Sequence, residues 1–107
     1  MIAVIFEADI VPSQQTRYLA LATELKLLLA DIEGFISIER FQSLTTEGKV
    51  LSLSWWRDEE SVVLWRKNLL HKAAQAEGRV SIFSFYRICV VQTLRDYTSA
   101  PRGDQHV

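Results

Sequence analysis

The chain has 107 residues, 49% hydrophobic and 23% charged, the composition of one globular domain and not of a disordered segment. Twelve Lys and Arg against thirteen Asp and Glu leave a net charge of −1, and the cations at Arg57, Arg66, Lys67 and Lys72 are interleaved with acids, which reads as a solvated helix face and excludes a nucleic-acid partner. The single cysteine, Cys89, excludes an intramolecular disulfide and a multi-cysteine zinc site; among Ile88, Val90 and Val91 it reads as an inert buried thiol.

From Ile2 to Val11, Val4, Phe6, Ala8 and Ile10 alternate with Ile5, Glu7 and Asp9, the period-two pattern of a strand. Pro12-Ser13 ends it, and Ser13 offers an N-cap oxygen to the helix that follows. Between Gln14 and Ile32 the apolar residues Tyr18, Leu21, Ala22, Leu25, Leu28, Leu29 and Ile32 keep a three-four spacing, so one stripe faces a core. Gly34 stands where a left-handed residue closes such a helix. These first residues show no charged leader with a cleavage site, and the apolar runs are too short to span a bilayer, so a cytoplasmic protein is expected.

Alternation resumes from Phe35 to Ser43, with Ile36 and Ile38 on one face and Ser37, Glu39 and Phe41 on the other. Thr45-Thr46-Glu47-Gly48 is a turn, and Val50 to Trp56 pairs back as a hairpin. Leu51, Leu53 and Trp55 then share an apolar face, which assigns Trp55 to the core; Ser52, Ser54 and Trp56 share a mixed one, too polar for a closed core and too aromatic for open solvent. That mixed face reads as a pocket floor. Asp58 caps a second helix with Glu59 and Glu60 in its first turn; Val62, Trp65, Arg66 and Leu69 continue it, and Leu70 to Glu77 adds further turns before Gly78. Ser81 to Leu94 is a last long strand, with Phe83, Phe85, Arg87, Cys89 and Val91 opposing Ser84, Tyr86, Ile88, Val90 and Gln92. Residues 1–97 thus form the domain, and 98–107 a polar, disordered tail whose Arg102-Gly103-Asp104 triplet is a chance match.

The order β-α-β-β-α-β is the α+β, ferredoxin-like split-βαβ arrangement: an antiparallel sheet with both helices on one face. The other face carries aromatic surface, a liability in a monomer. Two such sheets facing each other would cover it, so a homodimer is expected.

Ser54-Trp55-Trp56-Arg57-Asp58-Glu59-Glu60-Ser61-Val62, Trp65 and His71-Lys72-Ala73-Ala74-Gln75, with Glu33-Gly34-Phe35 and Tyr86-Arg87, resemble the antibiotic biosynthesis monooxygenase (ABM) domain family, over about Ile2 to Tyr97. The resemblance implies a dimeric α+β barrel. It marks the fold far more specifically than the reaction, because the family includes quinone-forming monooxygenases, haem-degrading enzymes and members without a known substrate. The haem-degrading members use an asparagine on the first strand, a tryptophan on the second helix and a histidine about ten residues later as iron ligand. Trp65 matches the tryptophan; Gln75 falls at the ligand position and the first strand holds no asparagine. His71 lies one turn before Gln75 and is the shifted ligand such chemistry would need.

The cofactor-independent members oxidise an electron-rich phenol, which calls for a flat apolar site, a held anion and excluded water. For this class Trp56, Trp65, Phe41 and Tyr86 are the stacking candidates. His71 and Arg87 are the proton- and anion-handling ones, with Glu39 as a further substrate-binding candidate. Trp56 and Trp65 equally suit wedging a helix onto a sheet, and Arg87 equally suits an ion pair with Glu39, Glu7 or Asp9 at a dimer seam. The expected function is a monooxygenase that oxidises a small flat aromatic molecule in a homodimer without metal, flavin or haem. The alternatives are a haem-degrading oxygenase and a non-catalytic small-molecule-binding module.

Overall fold

The structure, a computed structural model, describes residues 1–77 and 81–99, and of residues 69–71 and 74 the backbone alone. The alternating segments form β1 (Ile2–Ile10), β2 (Phe35–Gln42), β3 (Lys49–Trp56) and β4 (Phe83–Gln92); the three-four segments form α1 (Gln15–Leu29), α2 (Glu59–Lys67) and α3 (Leu69–Glu77). The strands pair antiparallel in the order β2-β3-β1-β4, the ferredoxin-like order expected from the succession of elements. No described helix is long and apolar enough to cross a membrane. Gly78 and residues 100–107, with the Arg-Gly-Asp triplet and most of the expected tail, lie outside the described residues.

Several junctions differ from the sequence expectation. The chain leaves β1 through a short 3-10 turn, Pro12–Gln14, closed by the Gln14 N–H on the Val11 carbonyl at 2.8 Å; Ser13 sits inside that turn and makes no cap. Helix α1 stops at Leu29, and two further turns (Ile32 N–H to Leu29 O at 3.0 Å, Phe35 N–H to Ile32 O at 3.1 Å) carry the chain to Gly34. Gly34 does have the left-handed φ of +87°, but beyond those turns and not at the helix end. The Arg57 N–H donates to the Gly34 carbonyl at 2.7 Å, which ties that loop to the start of α2. Asp58 caps α2 as expected: its Oδ1 accepts from Ser61 N at 2.9 Å and Ser61 Oγ at 2.7 Å, and its carboxyl is held below the ordinary 3.8 chiefly by those bonds. Asn68, with extended ψ of 132°, separates α2 from α3.

Two bulges revise which residues share a face. Between Phe35 and Ser37 the β2–β3 register shifts, so Phe35 and Ile38 pack into the core and Ile36 is exposed. A second shift, between Asp9 and Ile10 on β1, brings Phe83 to the helix side against Tyr18 and Phe6, away from Phe85. The larger correction concerns β3. Trp56 is the residue sealed under the helices, 1% exposed, whereas Leu51, Leu53 and Trp55 lie on the face that no helix covers. Both faces of β3 are apolar enough to be buried, so hydrophobicity alone did not say which one the helices take.

The space between sheet and helices holds two packed clusters. At one end Ile10, Tyr18, Leu21 and Ile82 pack with Val50 and Phe83; at the other Leu29, Trp56, Val62 and Trp65 pack with Ile2, Phe35 and Ile38. Leu25 touches both. Helix α3 is clamped onto α1 by the two-pronged ion pair of Arg17 with Glu77.

Candidate functional site

The floor of β3 between these clusters is made of Ser52 and Ser54, with Ala22 on α1 above, where larger side chains would have closed the layer. These short residues leave a cavity of about 150 Å³. A cavity near that size lined by apolar groups accepts one six-membered ring. Val4, Phe6, Leu21, Leu25, Leu29, Ile38, Val62 and Phe83 supply most of the wall, with Trp56 and Trp65 at one end. Trp56 is fixed: its Nε1 donates to Ser54 Oγ at 2.9 Å, and its ring meets Phe35 edge-on at 5.3 Å. Ile88 and Val90 on β4 line the cavity and are 39% and 43% exposed, which sets its opening along that edge strand.

Polar groups enter at few points. Tyr18, buried on α1, and Arg40, half-buried on β2, both line the cavity, close enough for the Arg40 charge to act on the Tyr18 phenol. Burial pushes the Tyr18 phenol up, with the Arg40 charge pulling partly against it. Arg66 and Gln75 line the cavity from α2 and α3 and also belong to an adjoining surface hollow with Lys67 and Lys72. Among the described residues no carboxylate, imidazole or thiol lines the cavity.

The sequence model of the family described as antibiotic biosynthesis monooxygenase matches residues 1–77. The chain belongs to that family. A jasmonate monooxygenase ABM from Pyricularia oryzae is 47% identical over 92 residues, 86% of this chain and 43% of that protein. The chain therefore spans less than half the length of that relative. Among solved structures, Rv0793 from Mycobacterium tuberculosis superposes with a TM-score of 0.80 at 15% identity, covering 91% of this chain and 98% of that one. A crystal structure described as an antibiotic biosynthesis monooxygenase gives 0.77 at 14% identity, with 89% and 100% covered. At such identities these two likenesses establish the fold alone.

Within this ABM fold the candidates from the sequence separate into two places. Trp56 and Trp65 come together in the cavity wall. Tyr86 is on the same side of the sheet but behind the wall, its ring centroid 6.1 Å from Phe6 and 6.5 Å from Phe83. Phe41, Glu39 and Arg87 are not brought to the cavity. They project from the uncovered face, because each is offset by an odd number of positions from the cavity-lining Arg40, Ile38 and Ile88. Arg87 pairs in register with Glu7, whose carboxyl is lowered mainly by the hydrogen bond from Lys49, the two atoms being 2.7 Å apart, and only lastly by Arg87. His71 lies on α3 four residues before Gln75; its side chain is outside the described residues.

Arg40 and Tyr18 are the site residues that sequence reasoning missed. Tyr18 had been absorbed into the apolar stripe of α1. The signal for Arg40 was present: it is two residues from Ile38 on the strand face given to the core, where an arginine is out of place.

Gln75, a carboxamide and so a poor iron ligand, lines the cavity and stands at the sequence position where the haem-degrading members carry their histidine.

Proposed function

We propose that the chain is a monooxygenase that takes one small, largely apolar organic molecule into the cavity between sheet and helices, as a homodimer and without a resident metal, flavin or haem. The observation that carries this reading is the ring-sized apolar cavity in a chain of the ABM family, 47% identical to a jasmonate monooxygenase over 86% of its length. Aliphatic side chains outnumber aromatic ones in the wall, which favours an alicyclic or singly aromatic molecule over the larger flat substrate suggested by the tryptophans. Jasmonate, a cyclopentanone acid, is the first compound to try.

The reaction has a defined electron demand. Converting a CH2 group to C=O with O2, one oxygen atom retained and the other leaving as water, draws all four electrons from the substrate. Hydroxylating a saturated C–H bond supplies only two, so that reaction requires a two-electron donor delivered from outside. In either case the apolar wall excludes water from the reacting carbon, and Trp65 and Trp56 hold the ring. His71 is the residue we assign to proton handling.

The homodimer reading rests on the uncovered sheet face. Ile5, Leu51, Leu53, Trp55, Cys89 and Val91 form an apolar centre there, rimmed by Glu7, Asp9, Lys49 and Arg87. A sheet face of that composition matches a self-complementary interface.

The deciding experiment is incubation of the purified chain with jasmonate and with an alkylphenol panel under 18O2, with and without NADH and a reductase, followed by mass spectrometry. Incorporation of one labelled atom that falls in His71→Ala and Trp65→Ala supports the assignment. Absence of label from every substrate under both conditions refutes it.

A further inference from the structure

Arg40 stands on β2 opposite Ser52, on the helix-covered face, and lines the cavity. Among the described residues it has no carboxylate partner; the ion pairs of this chain use Arg17, Lys49 and Arg57. A guanidinium in an apolar wall without an acid is costly, because it loses water and gains no neutralising charge. It carries five N–H donors in one plane, and the Tyr18 phenol lines the same cavity. The phenol O–H of Tyr18 adds one more donor to the wall. A phenol is protonated at neutral pH, and burial pushes this one further up. Two kinds of donor therefore converge on a cavity with no acceptor of comparable strength in its wall.

The surroundings of the cavity repeat this asymmetry. Arg66 lines it and leads into the hollow formed with Lys67 and Lys72, and among the described residues none of the three forms an ion pair. On a chain of net charge −1 this is a local excess of positive charge beside an apolar chamber.

We infer that Arg40 and Tyr18 form an anchor for the carboxylate of a small, otherwise apolar organic acid, with Arg66, Lys67 and Lys72 drawing the acid toward the cavity. This specificity-determining pair rests on the reading of the cavity as the substrate site. A planar carboxylate accepts two parallel bonds from a guanidinium, which a neutral ester or alcohol cannot match. The ring or alkyl body then lies against Val4, Leu25 and Trp65.

Calorimetric titration with acid–ester pairs tests this: jasmonate and its methyl ester, octanoate and its methyl ester, and cyclohexylacetate and its methyl ester. The wild-type chain binds at least one acid about 10- to 100-fold more tightly than its ester, as expected for bonds to a charged partner. Arg40→Met abolishes that ratio and leaves the affinity for the ester unchanged; Arg40→Lys restores part of it. Tyr18→Phe, which keeps the ring, lowers the ratio less and serves as the second variant if Arg40→Met does not reach the wild-type melting temperature. A wild-type ratio near one, a ratio unchanged in Arg40→Met, or no binding of any acid overturns the anchor. Labelled-oxygen incorporation into the neutral esters reads the monooxygenase assignment separately. Ester turnover without acid preference removes the anchor alone, and acid preference without turnover removes the reaction alone.

Discussion

A Cβ built on Gly34 would lie 1.8 Å from Ser61 Oγ and 2.5 Å from Ser61 Cβ. The glycine is therefore fixed twice, by its φ of +87° and by the close approach of the first turn of α2. Since α2 carries Val62, Trp65 and Arg66 to the cavity, this contact sets how close that wall sits to the sheet. Gly34→Ala is expected to destabilise the fold by about 2–4 kcal/mol, combining left-handed strain with overpacking. Denaturant unfolding measures the loss. Ser61→Gly itself loses the Ser61 hydroxyl bond to Asp58, so it is the reference: in that background Gly34→Ala should cost less than in wild type, because the steric part is gone and the strain remains.

The Asp58 cap has a pH signature. Its carboxyl is lowered in the folded state, first by the Ser61 hydroxyl and then by the Ser61 backbone N–H. A depressed folded value means stability that is present above the ordinary value near 3.8 and lost as pH falls through the folded value. Asp58→Ala should therefore melt below wild type at pH 6, and the gap should narrow as pH falls below 3.8. Asp58→Asn, which keeps an accepting oxygen without the charge, should show a smaller gap at pH 6 that also narrows as pH falls, because the stability being lost is the wild type's. Thermal melts at pH 6, 4 and 2.5 decide it; a gap for Asp58→Ala that persists unchanged at pH 2.5 contradicts the assignment.

Ser54 supplies the acceptor for the buried indole N–H of Trp56. Ser54→Ala leaves that donor without its partner and should cost about 1–3 kcal/mol. Trp56→Phe removes the donor and part of the ring. The two substitutions together should cost less than their sum, because the orphaned N–H exists only in the single Ser54 variant. Urea unfolding of the four-member cycle measures the coupling. Additivity within error would mean that the bond contributes nothing to holding the cavity wall.

The succession of strands and helices, the Asp58 cap and the Gly48 turn were legible because each depends on local chemistry. Alternation from Val4 to Ile10 and the spacing from Tyr18 to Leu29 admit few other readings. Which sheet face is covered was not legible. Leu51, Leu53 and Trp55 are as apolar as any core face, and the serines beside Trp56 made the true inner face look like the lesser one. Those serines did mark the cavity floor, for the physical reason that short polar residues leave space. The bulges at Phe35–Ser37 and Asp9–Ile10 lack a local signature here, so Ile36 and Phe83 were assigned to the wrong faces. Arg87, Glu39 and Phe41 were selected by residue type, which carries no information about face. Once the register is known, the same reasoning moves their role to the uncovered surface.

That surface gives the last prediction. Trp55 pairs in register with Ala3 on one side and Ser37 on the other, and stands on the uncovered face with Leu53 and Ile5 nearby. It contributes nothing to the helix-side clusters, so a charge there spares the core while disrupting an interface built on this face. Trp55→Glu should convert the proposed homodimer to a monomer in sedimentation equilibrium, with little loss of secondary structure by circular dichroism. Leu53→Asp should do the same, and a charge on α1 at Leu19, exposed on the other side of the molecule, should not. If the face is instead solvent-exposed in solution, wild type and Trp55→Glu will sediment alike as monomers. In that case the variant will be the more soluble of the two, because a large apolar patch will have been broken by charge.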